Sequence, residues 1–543
     1  MAVTRKLTRP APLQTLALRA MAGRPALLLV AGFAVGTLIL RLPTFFEPPW
    51  HTDEGIFAAV AQKVVSGGQL YADAWESKPP LFLYIYVAVA KLFGAGVLPL
   101  RLVVAGAALA SELALLAIGL RIMGRRQALL AAGILAVLLA VPFWEGNLAS
   151  PDALAVMPTT LAVLCVLSHD RGHTTDVRLL LAGLLFGLAF LIRQPSAVVA
   201  AAVVVWLLLD GRPWLRSGLL IAGGALAVVA PVVLAFALFG SLRWFWDANV
   251  DFFLSYVPSG REVPFQERPL IFLPALAAVG ALFVYRRRGA MPRWGLPALW
   301  LTFTLAAALL SGRPYPHYLL PAFPPLALLL AMLAPHVRPS WRPRREHAPA
   351  LGIALSVALL WLAVVRPAFG GNLLAMHYTR GPTYYANFAA WATGLKDREA
   401  YNDCFDRRVN LTRRLAATLE GLGARDQSVY IWGEYPWVYS LAGAEPATPY
   451  MTSFYVLLIP YLDVELGATL AAAEPRFIVM GGDAWPRVHD ARGILPRRFR
   501  NATRALNALI AARYEQVAVV GRARVFQRVP ERQPAGERLA LDK

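Results

Sequence analysis

Ionisable side chains with catalytic potential gather in one segment, residues 44–80, of a largely apolar sequence. Asp53 and Glu54 are adjacent there, and Lys78 follows them. A carboxylate can take a proton from an acceptor hydroxyl, and a cation can neutralise a lipid phosphate. The same residues also have ordinary structural uses, because acids favour the first turn of a helix and an interfacial lysine can anchor one.

Two further patches and one isolated cation have the same character. Asp152 ends the acidic stretch 144–152 and opens an apolar run, although Ser-Pro-Asp is also an ordinary helix start. His317 and Tyr318 stand at the edge of another apolar run, where such residues also serve as an interfacial belt. Arg193 separates two apolar runs. Together these positions indicate electrostatic chemistry on a phosphate near a membrane surface.

The elements that position these residues are membrane spans. The chain of 543 residues is 57% hydrophobic and only 16% charged, and runs of roughly 20 apolar residues are long enough to cross a bilayer. The net charge of +20 falls largely in short loops between these runs, which argues against a nucleic-acid partner. The eleven predicted spans are residues 25–42, 99–120, 127–143, 153–168, 179–193, 196–209, 217–239, 269–285, 294–311, 317–334 and 349–366.

The distribution of Lys and Arg predicts the orientation, because basic short loops stay in the cytoplasm. The basic loops are 121–126, 286–293 and 336–347. With these and the N-terminus in the cytoplasm, the acidic segments 44–80 and 144–152 lie outside. This arrangement requires that residues 81–97 form a helix that lies in or dips into the outer leaflet without crossing it.

The tail, residues 367–543, then lies outside the membrane and has a different composition. Polar helical stretches (406–421 and 497–513) alternate with short β-like runs (428–433, 477–482 and 516–521). We therefore predict a transmembrane domain over 1–366, with its catalytic first outer loop at 44–98, and an extracytoplasmic α/β domain over 367–543. The location is the cell membrane.

Several short motifs occur in an order that resembles a known family. They are Asp53-Glu54, Lys78-Pro79-Pro80-Leu81, Ser150-Pro151-Asp152-Ala153-Leu154 and His317-Tyr318-Leu319-Leu320-Pro321-Ala322. The sequence resembles the polytopic inverting glycosyltransferases of the GT-C fold, in the branch of bacterial aminoarabinose transferases and protein O-mannosyltransferases.

The resemblance implies a fold, a reaction and a set of residues. The fold is a polytopic α-helical membrane domain, and the reaction moves a sugar from a polyprenyl phosphate to an extracytoplasmic acceptor with inversion. The implied catalytic residues are Asp53 as the base, Glu54 and Asp152. The implied residues for the donor phosphate are Lys78, Arg193, His317 and Tyr318. The C-terminal domain would close over the active cavity.

The sequence also departs from the aminoarabinose branch. That branch carries an Arg-Tyr-Ala-Glu stretch after the Asp-Glu pair, where this chain has Phe57-Ala58-Ala59-Val60. The departure leaves the donor sugar and the acceptor open while the mechanism stands. No motif dictates a cofactor, although paired acids could hold a divalent cation.

Two other function classes fit a polytopic protein with charged outer loops. A transporter or flippase of lipid-linked intermediates would also bind phosphate, and a cell-wall scaffold would use its charged loops only for solvation. Transporters often show duplicated halves and interrupted helices, neither of which is evident in this sequence. Of the acids, only Glu112 lies well inside a predicted span, which favours chemistry at the surface.

Overall fold

The computed structural model describes residues 24–94, 96–168, 176–254, 271–287, 289, 291–310, 313, 315–334, 381–482 and 494–529. Contacts divide the described residues into two compact units. The first unit draws on Met1–Phe46, Leu100–Phe239 and Val250–Ala386. The second draws on Glu47–Pro99, Gly240–Asn249 and Asn387–Lys543.

Helices account for most of the described residues. In chain order they are α1 Arg24–Leu40, α2 Thr52–Val65, α3 Pro80–Phe93, α4 Val97–Ile122, α5 Arg125–Ala140, α6 Pro151–Leu167, α7 Asp176–Ile192, α8 Ala197–Leu209, α9 Trp214–Leu238, α10 Leu242–Trp246, α11 Leu273–Arg287, α12 Gly295–Leu310, α13 Phe323–Leu333, α14 Gly381–Ala392, α15 Arg398–Asp403, α16 Arg408–Gly421, α17 Trp437–Ala442, α18 Ser453–Leu458, α19 Leu462–Ala473 and α20 Ile494–Arg513. Within the described ranges the strands all lie after residue 427: β1 Ser428–Trp432, β2 Glu445–Pro446, β3 Phe477–Met480, β4 Tyr514–Val520 and β5 Ala523–Arg528.

The first unit contains the apolar helices. Ten of the eleven predicted spans coincide with helical segments among the described residues, and the eleventh, 349–366, lies outside them. In the part of the chain that the structure describes, three helical segments are long and apolar enough to cross a membrane by length and composition, namely Val97–Ile122, Trp214–Leu238 and Pro316–Leu333. The described helices therefore support a polytopic α-helical protein, whereas the count of eleven spans stays a prediction.

Loops of the first unit alternate between the two ends of its helices. Arg41 donates hydrogen bonds to the carbonyls of Leu139 and Gly146, at 2.7 and 3.1 Å, and so joins three chain segments at one end. At the other end, Ile122 and Arg293 line the same cavity. The basic loop 121–126 and the described part of 286–293 therefore lie at one end. The membrane side that this end faces stays a prediction.

Glycines allow two of these helices to approach closely. Gly183 and Gly187 stand four residues apart on α7, the small-residue spacing that permits backbone contact between membrane helices. A side chain at Gly183 would collide with the carbonyl of Ile221 on α9, and one at Gly224 would collide with that of Leu180. This contact fixes α7, whose C-terminal end carries Arg193.

The second unit contains a five-stranded mixed sheet in the order β2-β1-β3-β5-β4. Strand β1 is parallel to β2 and β3, and β5 is antiparallel to β3 and β4. Tyr430 and Trp432 on β1 and Ile478 on β3 belong to a buried core that also takes in Leu506 of α20. The three runs predicted as strands coincide with β1, β3 and β4, whereas β2 and β5 were not predicted.

The outer-loop segment predicted to be catalytic belongs to the second unit. Helix α2 begins at Thr52 and carries Asp53 and Glu54 in its first turn, and α3 covers most of the predicted helix 81–97. Gly55 of α2 packs so closely on Trp437 that an added side chain would collide with its ring, and Trp437 Nε1 donates to the carbonyl of His51 at 2.8 Å. The domain boundary predicted at residues 366 and 367 lies outside the described residues.

Candidate functional site

Two of the predicted site residues form a buried ion pair in the first unit. Arg193 Nε contacts Asp152 Oδ1, and the side chains of both residues are more than nine-tenths buried. The contact is an ion pair without the angle of a hydrogen bond. Burying either charge without its partner would cost several kcal/mol, on the order of 3–5. The sequence suggested a role for each residue separately, and the structure shows that they act as a pair.

Local sequence explains where this pair sits. Ser150 Oγ accepts a hydrogen bond from the Ala153 amide at 3.2 Å and caps α6, and Pro151 occupies its first turn. Asp152 therefore lies in the first turn, where the helix dipole favours a negative charge. Arg193 follows the last residue of α7 in an extended conformation. Its guanidinium lies 5.8 Å from the centre of the Tyr318 ring.

A second buried pair lies beside the first. His317 Nδ1 is 2.5 Å from Glu145 Oε2, and the Glu145 side chain is almost wholly buried. The backbone of Glu145 is left-handed, with φ of 57°, which turns the chain sharply after Trp144. The rings of His317 and Tyr318 meet edge to face at 4.9 Å. Asp152, Arg193, His317 and Tyr318 are thus brought together at one end of the first unit.

The adjacent acids of the second unit have different surroundings. Both lie in the first turn of α2, and consecutive helical residues point in different directions. Asp53 is exposed, whereas Glu54 is 1% exposed and points into the protein. Within the described part of the chain, Asp53 makes no hydrogen bond or ion pair. Of the two, only Asp53 has a carboxylate that an external acceptor can reach.

An acid that the sequence analysis did not single out lies near Asp53. Glu434 follows β1, and its Oε1 accepts hydrogen bonds from Ser453 Oγ at 2.9 Å and from the Phe454 amide at 3.0 Å. Burial raises the pKa of Glu434 to about 7, and the negative charge of Asp53 contributes to the rise. A carboxyl with that pKa exchanges protons near neutrality.

Arg408 connects the Glu434 backbone to the start of α2. Its guanidinium donates to the Glu434 carbonyl and to Thr52 Oγ1, both at 3.4 Å, and to Asp406 Oδ2 at 2.7 Å. The hydrogen bond and charge of Asp406 hold the pKa of Arg408 above its ordinary value, although burial opposes this. Arg408 therefore remains cationic and ties the two acidic segments together.

Lys78 is held by an acid from its own segment. Its Nζ lies 3.6 Å from Glu76 Oε1, and about a third of the Lys78 side chain is exposed. Glu76 is completely buried, and its Oε2 accepts a hydrogen bond from Tyr455 OH at 2.7 Å. Lys78 Nζ also lies 5.9 Å from the centre of the Phe57 ring on α2. The cation is thereby held near the helix that carries Asp53.

The structure thus distributes the seven predicted residues between two units. Asp152, Arg193, His317 and Tyr318 meet in the first unit, and Asp53, Glu54 and Lys78 belong to the second. Within the described ranges, no three His, Cys, Asp or Glu side chains come together as a metal site.

Four further charged residues make polar contacts in these groups, although the sequence alone indicated no functional role for them. They are Glu76, Glu145, Arg408 and Glu434. Glu76 and Glu145 belong to the predicted acidic outer loops, so the sequence predicted where their charges lie. It did not predict which residues they contact. Arg408 and Glu434 lie in the tail, and no local motif marks them as neighbours of α2.

Comparisons with known proteins agree with the motifs. The sequence model described as dolichyl-phosphate-mannose-protein mannosyltransferase matches residues 77–236. The undecaprenyl phosphate-alpha-4-amino-4-deoxy-L-arabinose arabinosyl transferase of Aeromonas salmonicida (strain A449) is 25% identical over 350 residues, which are 60% of this chain and 64% of that protein. The match thus spans somewhat less than two thirds of that relative.

Solved structures show the fold. ArnT from Cupriavidus metallidurans bound to undecaprenyl phosphate has a TM-score of 0.57 at 16% identity, with 94% of this chain and 99% of that chain covered. ArnT from the same organism in the apo state has the same TM-score at 17% identity, with coverage of 93% and 99%. The predicted resemblance to the GT-C branch of aminoarabinose and mannosyl transferases is confirmed.

Proposed function

We propose that this chain, whose fold and motifs are those of GT-C glycosyltransferases, moves a sugar from a polyprenyl-phosphate donor to an extracytoplasmic acceptor. The observation that carries the proposal is the convergence of Asp152, Arg193 and Tyr318. These residues are distant in sequence, were named from separate motifs, and meet in a buried polar group at one end of the apolar helices. Such a group fits the recognition of a phosphate at a membrane surface.

Asp53 is the proposed base. Its exposed carboxylate takes the proton from the acceptor hydroxyl as the oxygen attacks the anomeric carbon. The bond from that carbon to the phosphate oxygen breaks, and polyprenyl phosphate leaves from the opposite face, so the configuration inverts. Glu434 adds a titrating charge near this base, and Arg408 holds the two segments together.

The cations stabilise the phosphate that leaves. Arg193 presents a planar guanidinium suited to phosphate oxygens, and Lys78 presents a compact ammonium. Their acidic partners, Asp152 and Glu76, restrict where each cation can point. The ring of Tyr318 and the paired His317 complete the proposed phosphate-binding set. A preorganised cation of this kind contributes more in the transition state than in the free donor.

The topology belongs to the same proposal. We place eleven spans in the cell membrane, the N-terminus in the cytoplasm and the C-terminal domain outside. The positions of the loops in the first unit support this topology. The described basic loops lie at one end of the helices, and the 144–152 loop lies at the other end. The bilayer and the lipid donor are then the partners, and no nucleic acid is involved.

A transporter is less well supported than a transferase. Glu112, the acid inside a predicted span, accepts a hydrogen bond from Thr37 Oγ1 at 2.7 Å and is completely buried. This contact joins α1 to α4 and gives Glu112 a structural role. The other charged residues of the proposed mechanism lie at helix ends or in the second unit.

Incubation of the purified full-length protein with polyprenyl-phosphate sugars tests the function. Mass spectrometry should detect a glycosylated acceptor and free polyprenyl phosphate, and Asp53→Asn provides the matched inactive control. A chelator added to the same reaction tests whether the acids hold a divalent cation. Transport of the intact donor across a vesicle membrane, without cleavage and with equal rate in the Asn variant, would favour the transporter instead.

A further inference from the structure

A cavity of about 140 Å³ lies in the first unit, where the C-terminal ends of α4, α6 and α8 meet the start of α12. It is at the opposite helix end from Asp152 and Arg193. Ile118, Leu167 and Leu328 contribute apolar walls, and Arg212 and Arg293 contribute cations. A cavity with apolar walls and two guanidinium groups suits an amphiphilic anion.

A buried donor in the cavity wall lacks a partner. Trp300 is 1% exposed, and within the described residues its indole Nε1 has no hydrogen-bond acceptor. Burial of a donor without an acceptor destabilises the protein. Because Trp300 lines the cavity, a bound molecule that brings an acceptor oxygen would remove this destabilisation.

The charges of the cavity favour an anion. Arg212 Nε donates to Asp210 Oδ2 at 2.7 Å, and its guanidinium lies 4.8 Å from the centre of the Trp206 ring. Arg293 is exposed and makes no hydrogen bond or ion pair among the described residues. Two guanidinium groups against one carboxylate leave one positive charge in the lining, and planar guanidinium groups bind phosphate oxygens in pairs.

The position of the cavity selects a lipid as the source of the phosphate. The adjoining loops carry Arg125 and Arg126, and the end of α11 carries Arg286 and Arg287. Such basic residues attract the anionic headgroups of a membrane leaflet, and the topology proposed above makes this the cytoplasmic leaflet. The apolar walls can take up the beginning of an acyl or isoprenoid chain, which inorganic phosphate does not have.

We propose that this cavity binds the phosphate headgroup of an anionic membrane lipid. Trp300 Nε1–H donates to a phosphate oxygen, Arg212 and Arg293 neutralise the charge, and the apolar walls contact the first carbons of the chain. The site is separate from the proposed donor site and does not depend on the sugar-transfer reaction.

Native mass spectrometry of the full-length protein in a neutral detergent tests the proposal. The probe is short-chain phosphatidic acid, with phosphatidylcholine of the same chain length as the uncharged counterpart. The Lys78→Ala background weakens the proposed donor site, and the cavity variants made in it show which part of the remaining binding of phosphatidic acid belongs to the cavity. We expect saturable binding of one molecule of phosphatidic acid there, and no comparable binding of phosphatidylcholine.

Two variants and one control decide the assignment. Trp300→Phe removes the N–H group together with part of the ring, and Arg293→Gln removes an exposed charge without changing the buried wall. Each should weaken binding about tenfold or more, as for loss of a hydrogen bond to a charged group. Arg126→Gln removes a cation that does not line the cavity. A neutral detergent has no charged leaflet for Arg126 to attract, so this control should leave binding unchanged. If Trp300→Phe does not fold, the exposed Arg293→Gln variant still decides.

Three results would overturn the proposal. Unchanged binding in both cavity variants would place the lipid elsewhere. Equal binding of phosphatidylcholine would remove the recognition of charge. Displacement by inorganic phosphate at the same concentration would assign the cavity to free phosphate. Sugar transfer by Arg293→Gln is measured in parallel, so failure of the proposed reaction is seen independently of lipid binding.

Discussion

Replacement of Glu434 by Gln isolates the charge that lies near Asp53. The amide is nearly the same size as the carboxyl, and its oxygen can still accept the hydrogen bonds from Ser453 and Phe454. The variant therefore removes a titrating proton and little else. Arg408 lowers the pKa of Glu434 and Asp53 raises it, but burial is the largest cause of the rise to about 7.

The expected effect on stability follows from this pKa. A carboxyl whose pKa rises from 4.5 to about 7 destabilises the folded state by about 3 kcal/mol once it is fully ionised. Because Glu434 is half-buried, solvent screening makes this an upper limit. The destabilisation is absent below pH 4.5, grows as the pH rises to about 7, and is complete above it. The Gln variant should therefore be more stable than the wild type at pH 8, and the two should converge near pH 4.5.

Thermal unfolding of the purified full-length protein between pH 4.5 and 8 measures this difference. A gain of 3 kcal/mol corresponds to about 6–12 °C for a unit of roughly 200 residues, so several degrees are expected at pH 8. Glu445→Gln is the matched control, because Glu445 forms only a looser, partly exposed ion pair with Lys63 at 3.7 Å. A difference between wild type and Glu434→Gln that did not change with pH would refute the assignment of the titrating group.

The same variant has a catalytic readout. As Glu434 ionises, a second negative charge appears near Asp53, and the added charge favours movement of the acceptor proton toward this pair of acids. Transfer by the wild type should therefore include a rise with an apparent pKa near 7, and Glu434→Gln should lack it. Identical pH profiles would show that Glu434 has no influence on the base.

Four further outcomes follow from the contacts. Asp53→Asn should abolish sugar transfer at unchanged expression and melting temperature, and near-native turnover would reduce Asp53 to a helix-terminal acid. Lys78→Ala should lower transfer by about 10²-fold or more and weaken binding of polyprenyl phosphate, whereas an interfacial anchor would leave both almost unchanged. Arg193→Met should destabilise the fold by about 3–5 kcal/mol, because it leaves the Asp152 charge buried without its partner. Adding Asp152→Leu should restore most of that stability without restoring activity. A double variant as unstable as Arg193→Met alone would contradict the buried ion pair. In a variant whose native Cys165 and Cys404 are replaced by Ser, cysteine introduced at Gly289 should react with an impermeant maleimide only after the cells are opened, and labelling of intact cells would overturn the topology.

The sequence predicted most of the helices because their signals are local. Apolar runs and their flanking charges depend on neighbouring residues, so α4, α6 and α9 were found within a few residues of their ends. The strand β5 was missed because its residues, Ala523–Arg528, are mixed in polarity. These residues form a strand because they pair with β3 and β4. Strand propensity reflects such neighbours more than the strand's own sequence.

Pairings between distant residues could not be predicted. Nothing near residue 152 indicates that its partner is Arg193, because the contact depends on how α6 and α7 pack. Glu434 could likewise not be predicted as a functional residue. Its raised pKa arises from burial and from the charge of Asp53, and both depend on the folded structure. Motifs thus identified residue types that suit the chemistry. Packing determined which of these residues form ion pairs and which of them change the pKa of a neighbour.

Those pairings distinguish among the three predicted carboxylates. Asp152 is paired with Arg193 and buried, so an acceptor hydroxyl cannot easily reach it. Glu54 is 1% exposed and points into the protein from the first turn of α2. Asp53 is the exposed member, without a hydrogen bond or ion pair in the described part of the chain. These differences support Asp53 as the proposed base, and we propose that Asp152 acts through the orientation of Arg193.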